Sequence, residues 1–239
     1  MKKIMCLIIF TSIMITTFSQ QMVVQKTDGS NLFIDLNTIS LINFIVPCPG
    51  TPTVDYGGKT YNTVLIGDQC WLNENLDVGT MINSSSYQTN NGILEKYCYN
   101  NVLDSCTTYG GLYQWNEAMQ FVTTEGAQGI CPTGWHIPSY AEFQTLAATV
   151  ENDGNILKKI GQGSGGGAGT NTSGFSVLLA GSRAMWSADF GGLNEETLFW
   201  GSTSNGGNRY FMRLYADQSN MQIAYYYITC GFSIRCIKD

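Results

Sequence analysis

Two cysteine-bearing segments constrain this chain most. The first is Cys131-Pro132-Thr133-Gly134-Trp135-His136-Ile137-Pro138-Ser139, and the second is Gly231-Phe232-Ser233-Ile234-Arg235-Cys236, three residues from the end. A bond between Cys131 and Cys236 ties the middle of the chain to its C-terminus. Closing a loop of about 100 residues contributes about 4.7 kcal/mol by the chain-entropy argument. The first segment also runs into a helix start. Ser139 and Glu142 have capping-box spacing, and Phe143, Leu146, Ala147 and Val150 follow at helical intervals. The second segment reads as a closing strand, Phe232–Ile237.

The N-terminus sets the compartment in which such a bond forms. Lys2 and Lys3, the apolar run Ile4–Ile15 and the small residues around Thr17-Phe18-Ser19 read as a signal peptide over residues 1–19. The apolar run is too short for a membrane span, so no membrane insertion is expected. Beyond it seven cysteines remain: Cys48, Cys70, Cys98, Cys106, Cys131, Cys230 and Cys236. Secretion favours disulfides. Loop closure predicts Cys131–Cys236, Cys98–Cys106 and Cys48–Cys70, which leaves Cys230 as a free thiol or a link to another chain. With no CxxC pair and a single histidine, His136, no zinc site is indicated. Without Lys2 and Lys3, ten basic residues face 18 acidic ones. An acidic chain of this kind is a poor partner for nucleic acid or anionic membrane.

Residues 20–46 read as a small β-hairpin segment. Strands are expected at Met22–Val24 and Leu32–Leu36 about an Asp28-Gly29 turn, with a third at Ile39–Phe44. Residues 47–52, rich in proline, read as a linker, and residues 53–239 as the main domain. In that domain a hairpin turn is expected at Tyr56–Tyr61, a strand at Thr63–Ile66 and a polar loop at Asn83–Gly92. Two helices are expected, one over Gly111–Phe121 and one from Ser139. The glycine-rich stretch Gly161–Gly169 reads as a mobile loop without a phosphate-binding pattern. Strands follow at Phe175–Leu179, Thr197–Trp200, Tyr210–Tyr215, Met221–Tyr227 and Phe232–Ile237. Helices early and strands late give an α+β class.

The runs YNTVLIGDQCWLNENL, YGGLYQWNEAM, GICPTGWHIPSYAEF, TSGFSVLLAGSR, LFWGSTS and GFSIRCIKD resemble, in content and order, the Fibrobacter succinogenes major paralogous domain family. The resemblance spans about Thr53–Asp239. It implies a C-type lectin-like domain with two helices and a twisted antiparallel sheet. Three positions depart from the family pattern: Cys230 where a polar residue is usual, Phe143 in place of tryptophan, and Gly201 within a Trp-Ser-Ser run.

Catalysis is not indicated. His136 is a turn residue, no nucleophile elbow is present, and the adjacent pair Glu195-Glu196 reads as a solvated loop. Through the lectin-like fold a distant relation to formylglycine-generating enzymes stays open, with Cys230 as its thiol. The calcium-and-sugar triplets of true C-type lectins are absent. Asp189, Asn194, Glu195, Glu196 and Asp217 nonetheless supply oxygen ligands that leave structural calcium open. The expected function is therefore a secreted, non-catalytic binding module for a glycan or an extracellular protein. Tyr210, Tyr215, Tyr225 and Tyr227 are its candidate ligand-binding residues. A structural subunit that self-assembles through the N-terminal hairpin is the alternative.

Overall fold

The computed structural model describes residues 21–26, 28–35 and 45–239. The leader and the strand expected at Ile39–Phe44 lie outside the described residues. The chain divides into two compact units, Met1–Phe44 and Ile45–Asp239. In the first, β1 (Gln21–Gln25) pairs antiparallel with β2 (Asn31–Asp35). Asp28 Oδ1 accepts from the Ser30 amide at 2.8 Å, and Gly29 takes φ 83°, so the Asp-Gly pair forms the turn.

In the second unit come β3 (Thr53–Tyr56), β4 (Lys59–Ile66), β5 (Gln69–Leu72), β6 (Thr80–Met81) and β7 (Glu95–Lys96). Helix α1 (Leu103–Tyr109), helix α2 (Trp115–Ala118), β8 (Trp135–His136) and α3 (Tyr140–Thr149) follow. Then come β9 (Ala180–Arg183), β10 (Phe190–Leu193), β11 (Glu196–Asn205), β12 (Asn208–Tyr215), β13 (Gln222–Tyr227) and β14 (Ile237–Lys238). One sheet has the order β3-β4-β5-β14-β8 and the other β10-β9-β11-β12-β13. Pairing within these two sheets is antiparallel except where β9 meets β11. The domain is thus mostly sheet with three short helices among the described residues.

At β11 and β12 both faces of the second sheet are covered, with neighbouring residues pointing to opposite sides and each set packed. Trp200 and Phe211 pack with Trp115 and Phe232 on one side. Phe199 and Met212 pack with Trp71, Phe143, Leu146 and Phe175 on the other. Phe143 lies nearly parallel to Trp71, with ring centroids 6.3 Å apart. A Cβ on Gly201 would stand 3.1 Å from the Phe143 ring, so two of the three departures from the family pattern touch each other.

Three disulfides staple this unit: Cys48–Cys70, Cys98–Cys106 and Cys131–Cys236, with Cα–Cα distances of 5.5, 5.0 and 5.9 Å. Such pairs fit an oxidising or extracellular setting. No described helix is long and apolar enough to cross a membrane. The proline-rich residues 47–52 lie against β4: the Cys48 amide donates to Thr63 Oγ1, and Thr63 Oγ1 donates to the Thr51 carbonyl.

Four local expectations change. The helix read over Gly111–Phe121 shrinks to Trp115–Ala118. Leu112 is instead bridged to Tyr97 and Tyr113 to Phe232, and Gln120 and Phe121 take positive φ. A third helix, Leu103–Tyr109, starts within the span that Cys98 and Cys106 close and carries Cys106. Phe175–Leu179 is not a strand; it touches Lys158 through a single bridge at Val177. The closing strand is only Ile237–Lys238. Residues Gly231–Cys236 form no ladder because successive residues bond to different elements. The amides of Gly231, Phe232 and Ser233 donate to Arg183, Tyr113 and Leu198, while the carbonyls of Ile234 and Cys236 accept from Leu76 and Leu72. All six are buried, and they stitch the two sheets together.

Candidate functional site

The segment around His136 is scaffold. Ser139 and Glu142 make the full capping box, with the Ser139 amide 2.7 Å from Glu142 Oε2. The other Glu142 oxygen meets His136 Nε2 at 2.9 Å, and His136 Nδ1 meets Asp239 Oδ1 at 2.7 Å. The imidazole therefore clamps the start of α3 to the last residue. The hydrogen bond to Glu142, and then that to Asp239, hold the His136 pKa above its ordinary value, with burial pulling the other way. Burial pushes Glu142 up, but its bonds to His136 and Ser139 outweigh that and hold it low.

Two buried arginines escaped the sequence reading. Arg183 donates to the carbonyls of Ser84 and Thr229 and lies over the rings of Tyr87 and Tyr97. Arg235 donates to Asn75 Oδ1 and to the carbonyls of Leu72 and Phe175, its guanidinium 4.5 Å from the Phe175 ring centre. Neither meets a carboxylate in an ion pair. Each ties separate loops together through carbonyls, and burial draws the Arg235 pKa down to about 9.

The free thiol of Cys230 is buried, and burial pushes its pKa up to about 11. Burial shields this thiol from solvent and keeps it protonated at neutral pH.

The four candidate tyrosines do not form one site. Tyr210 pairs across the ladder with Tyr225, their ring centres 5.8 Å apart, and Tyr140 at the start of α3 lies 4.4 Å from Tyr210. Tyr227 shares that strand face by alternation. Tyr225, Tyr226 and Tyr227 are all about half exposed, because β13 is the edge strand and neither of its faces is covered there. Tyr215 lies five residues from Tyr210, roughly 17 Å along the strand, on the opposite face. Arg213 sits over its ring at 4.2 Å.

Tyr215 instead lines a groove of about 620 Å³ with Phe190, Arg213, Glu195, Glu196 and Asp217. Arg213 and Glu196 form an ion pair across the β11–β12 ladder, with Nε 2.7 Å from Oε2. Asp189 also reaches the groove, so four carboxylates face one guanidinium there. No three of them, nor any other three His, Cys, Asp or Glu side chains among the described residues, are grouped to hold a metal ion. Ala184 and Asp189, the ends of the β9–β10 turn, also line the groove; the Ala184 amide donates to the Asp189 carbonyl at 2.8 Å. Within that turn Trp186 is 86% exposed. Sequence reasoning missed it. Its one signal was a tryptophan set among small and polar residues, Trp186-Ser187-Ala188-Asp189, rather than in an apolar run.

Next to Ala216 and Asp217 of the groove lies the glycine-rich stretch, in which Gly167 is buried and most other residues are exposed. Lys158 Nζ, on a fully buried side chain, donates to the carbonyls of Gly167, Tyr215 and Gln218. The Ser164 amide donates to the Ala216 carbonyl at 2.8 Å. Glycine is needed at Gly167, where a Cβ would stand 2.2 Å from the Ala216 oxygen. The run of small residues therefore lets two backbones approach and supports the segment that carries Tyr215 and Asp217.

No curated protein and no solved structure matches the chain. A family model described as the Fibrobacter succinogenes major domain matches residues 64–238, which takes in all three helices, the whole second sheet and the groove, and the first sheet without β3 and the start of β4. The chain belongs to the Fibrobacter succinogenes major domain family.

Proposed function

We propose that this protein is a secreted, non-catalytic binding module of lectin-like type whose ligand is a glycan. The observation that carries this reading is Trp186, an indole 86% exposed in a turn that borders a groove containing Tyr215, Arg213 and carboxylates. A tryptophan that gains nothing from burial in the domain suits stacking against the apolar face of a sugar ring, while carboxylates accept from its hydroxyls. The groove carries a formal surplus of negative charge, which favours neutral or amino-sugar units over acidic ones. Six cysteines locked in disulfides and a seventh buried leave no accessible thiol in the described domain for chemistry of the formylglycine-generating kind.

A glycan array, run with and without chelator, tests this reading. Binding to neutral or amino-sugar glycans, reduced at least tenfold by Trp186→Ala and by Tyr215→Ala, is the expected result. An array without hits, or hits unchanged in both variants, overturns it. A second reading, a subunit of an extracellular assembly, draws on the edge strand β13 with its three half-exposed tyrosines. Sedimentation across a concentration series tests it, and a strict monomer argues against it.

A further inference from the structure

Strand β13 is six residues long and forms an outer edge of the second sheet. Hydrogen bonds two strands away fix which of its backbone groups face outward. The Ser233 amide donates to the Leu198 carbonyl and the Trp200 amide donates to the Ser233 carbonyl, so Leu198 and Trp200 turn away from β12. Their ladder partners Arg213 and Phe211 then turn to β13, where they face Gln222 and Ala224. Backbone direction alternates along a strand, so the N–H and C=O groups of Ile223 and Tyr225 point to the open edge. No described residue bonds to them there. The open stretch ends at an engaged group on each side. The Met221 amide donates to the Asn152 carbonyl at 3.3 Å, and the Tyr227 carbonyl accepts from the Cys230 amide at 3.4 Å. What is left open is therefore symmetric about Ala224.

The side chains suit pairing along this edge. Residues Gln222–Tyr227 include no charge, no proline and no glycine, and their ladder with β12 has no bulge. The devices that keep a sheet edge from pairing are thus missing. The other outer strands of the two five-stranded sheets differ: β3 carries Asp55, β10 carries Gly191 and Gly192, and β8 is two residues long. Tyr225, Tyr226 and Tyr227 are half exposed. The ring planes of Tyr140 and Tyr210 meet at 36° and those of Tyr210 and Tyr225 at 82°, so they offer no common plane to a sugar ring. An uncharged strand has nothing to pair with a charged peptide. Against itself across a two-fold axis it opposes no like charges, in a chain whose net charge is −6.

We infer that β13 pairs antiparallel with β13 of a second copy, about a two-fold axis at Ala224, and joins two sheets into one. This deepens the assembly reading above and rests on it. Ile223 of each copy faces Tyr225 of the other and exchanges two hydrogen bonds with it, which meets every open group of both strands. Ala224 faces Ala224, and Tyr226 faces Gln222. Three half-exposed tyrosines contribute roughly 300 Å² per copy. With the backbone and neighbouring side chains the contact lies at the small end of specific interfaces, so the dimer is weak and depends on concentration.

The test is sedimentation equilibrium of the chain without residues 1–19 over a concentration series reaching the millimolar range. A monomer–dimer equilibrium without larger species is expected, because a two-fold contact closes on itself. Tyr225→Pro removes an outward N–H and no bond to β12, and Tyr225→Lys sets a charge on the edge; each should weaken the dimer at least tenfold. Under mild oxidation Ala224→Cys should give a covalent dimer, since opposed residues of this kind have Cα atoms about 4.5 Å apart. Gln222→Cys, facing Tyr226 of the other copy, should not. Association that survives both Tyr225 variants, or cross-linking no better at 224 than at 222, overturns this inference and leaves the assembly reading standing. A strict monomer throughout the series overturns both.

Discussion

At the scale of single residues, the chain meets the cost of buried charge by giving each ion a set of oxygen acceptors. Lys158, Arg183 and Arg235 are all buried; the first two donate to backbone carbonyls, and Arg235 divides its donors between carbonyls and Asn75 Oδ1. His136 differs, because its partners are two carboxylates and its charge is conditional. Its folded pKa is raised above the ordinary value of about 6.5, so the stability it contributes is fully present below that value and is lost as pH rises through the folded pKa. Glu142 is lowered, so its contribution is present above its ordinary value and is lost as pH falls through the folded one. The clamp is therefore strongest in mildly acidic solution, between these two limits. Urea unfolding should show the wild-type chain losing on the order of 1 kcal/mol between pH 6 and pH 8.5, given partial exposure. His136→Asn should abolish that slope while leaving the disulfide pattern intact. The capping box here was legible from Ser139 and Glu142 alone. The imidazole clamp was not, since Asp239 is 103 positions away in sequence.

Among the elements, the glycine-rich stretch gives the sharpest test of why a residue type is present. A Cβ on Gly167 would meet the Ala216 oxygen, whereas on Gly166 its nearest neighbour is 4.0 Å away. Gly167→Ala should cost roughly 1–3 kcal/mol by overpacking against backbone. Gly166→Ala, one residue away, should stay within about 0.5 kcal/mol of wild type. Matched thermal or urea melts of the two variants decide it, and equal costs would mean the stretch is merely flexible. The strands at Thr197–Trp200, Tyr210–Tyr215 and Met221–Tyr227 were visible as runs rich in β-branched and aromatic residues. The helix around Trp115 was overread because Leu112, Trp115 and Met119 have helical spacing. Bridges from Leu112 and Tyr113 to other segments hold that backbone extended instead.

For the molecule as a whole, the disulfides and the buried thiol divide the labour between covalent and packed stabilisation. Intact protein lacking residues 1–19 should not react with a thiol reagent. Unfolded without reductant, it should show one thiol per chain, at Cys230. Two or more thiols in that state would break the disulfide scheme. Replacing Cys131 and Cys236 together by serine should cost about 2–5 kcal/mol, because the bond closes the loop that holds β8 against β14. The sequence by itself determined the capped helix, most of the late strands and the family, since each rests on local spacing or on motifs within single segments, while loop closure pointed to the disulfide pairs that the structure shows. Only the tertiary structure decided which side chains share a site. It split the four tyrosines between an edge-strand patch and a groove, set Trp186 in a turn whose ends line the groove that holds Tyr215, and gathered Lys59, Asn73, Glu74 and Lys159 around one pocket. Those juxtapositions join residues up to a hundred positions apart, and they depend on strand order, register and loop approach rather than on neighbouring residues in the chain.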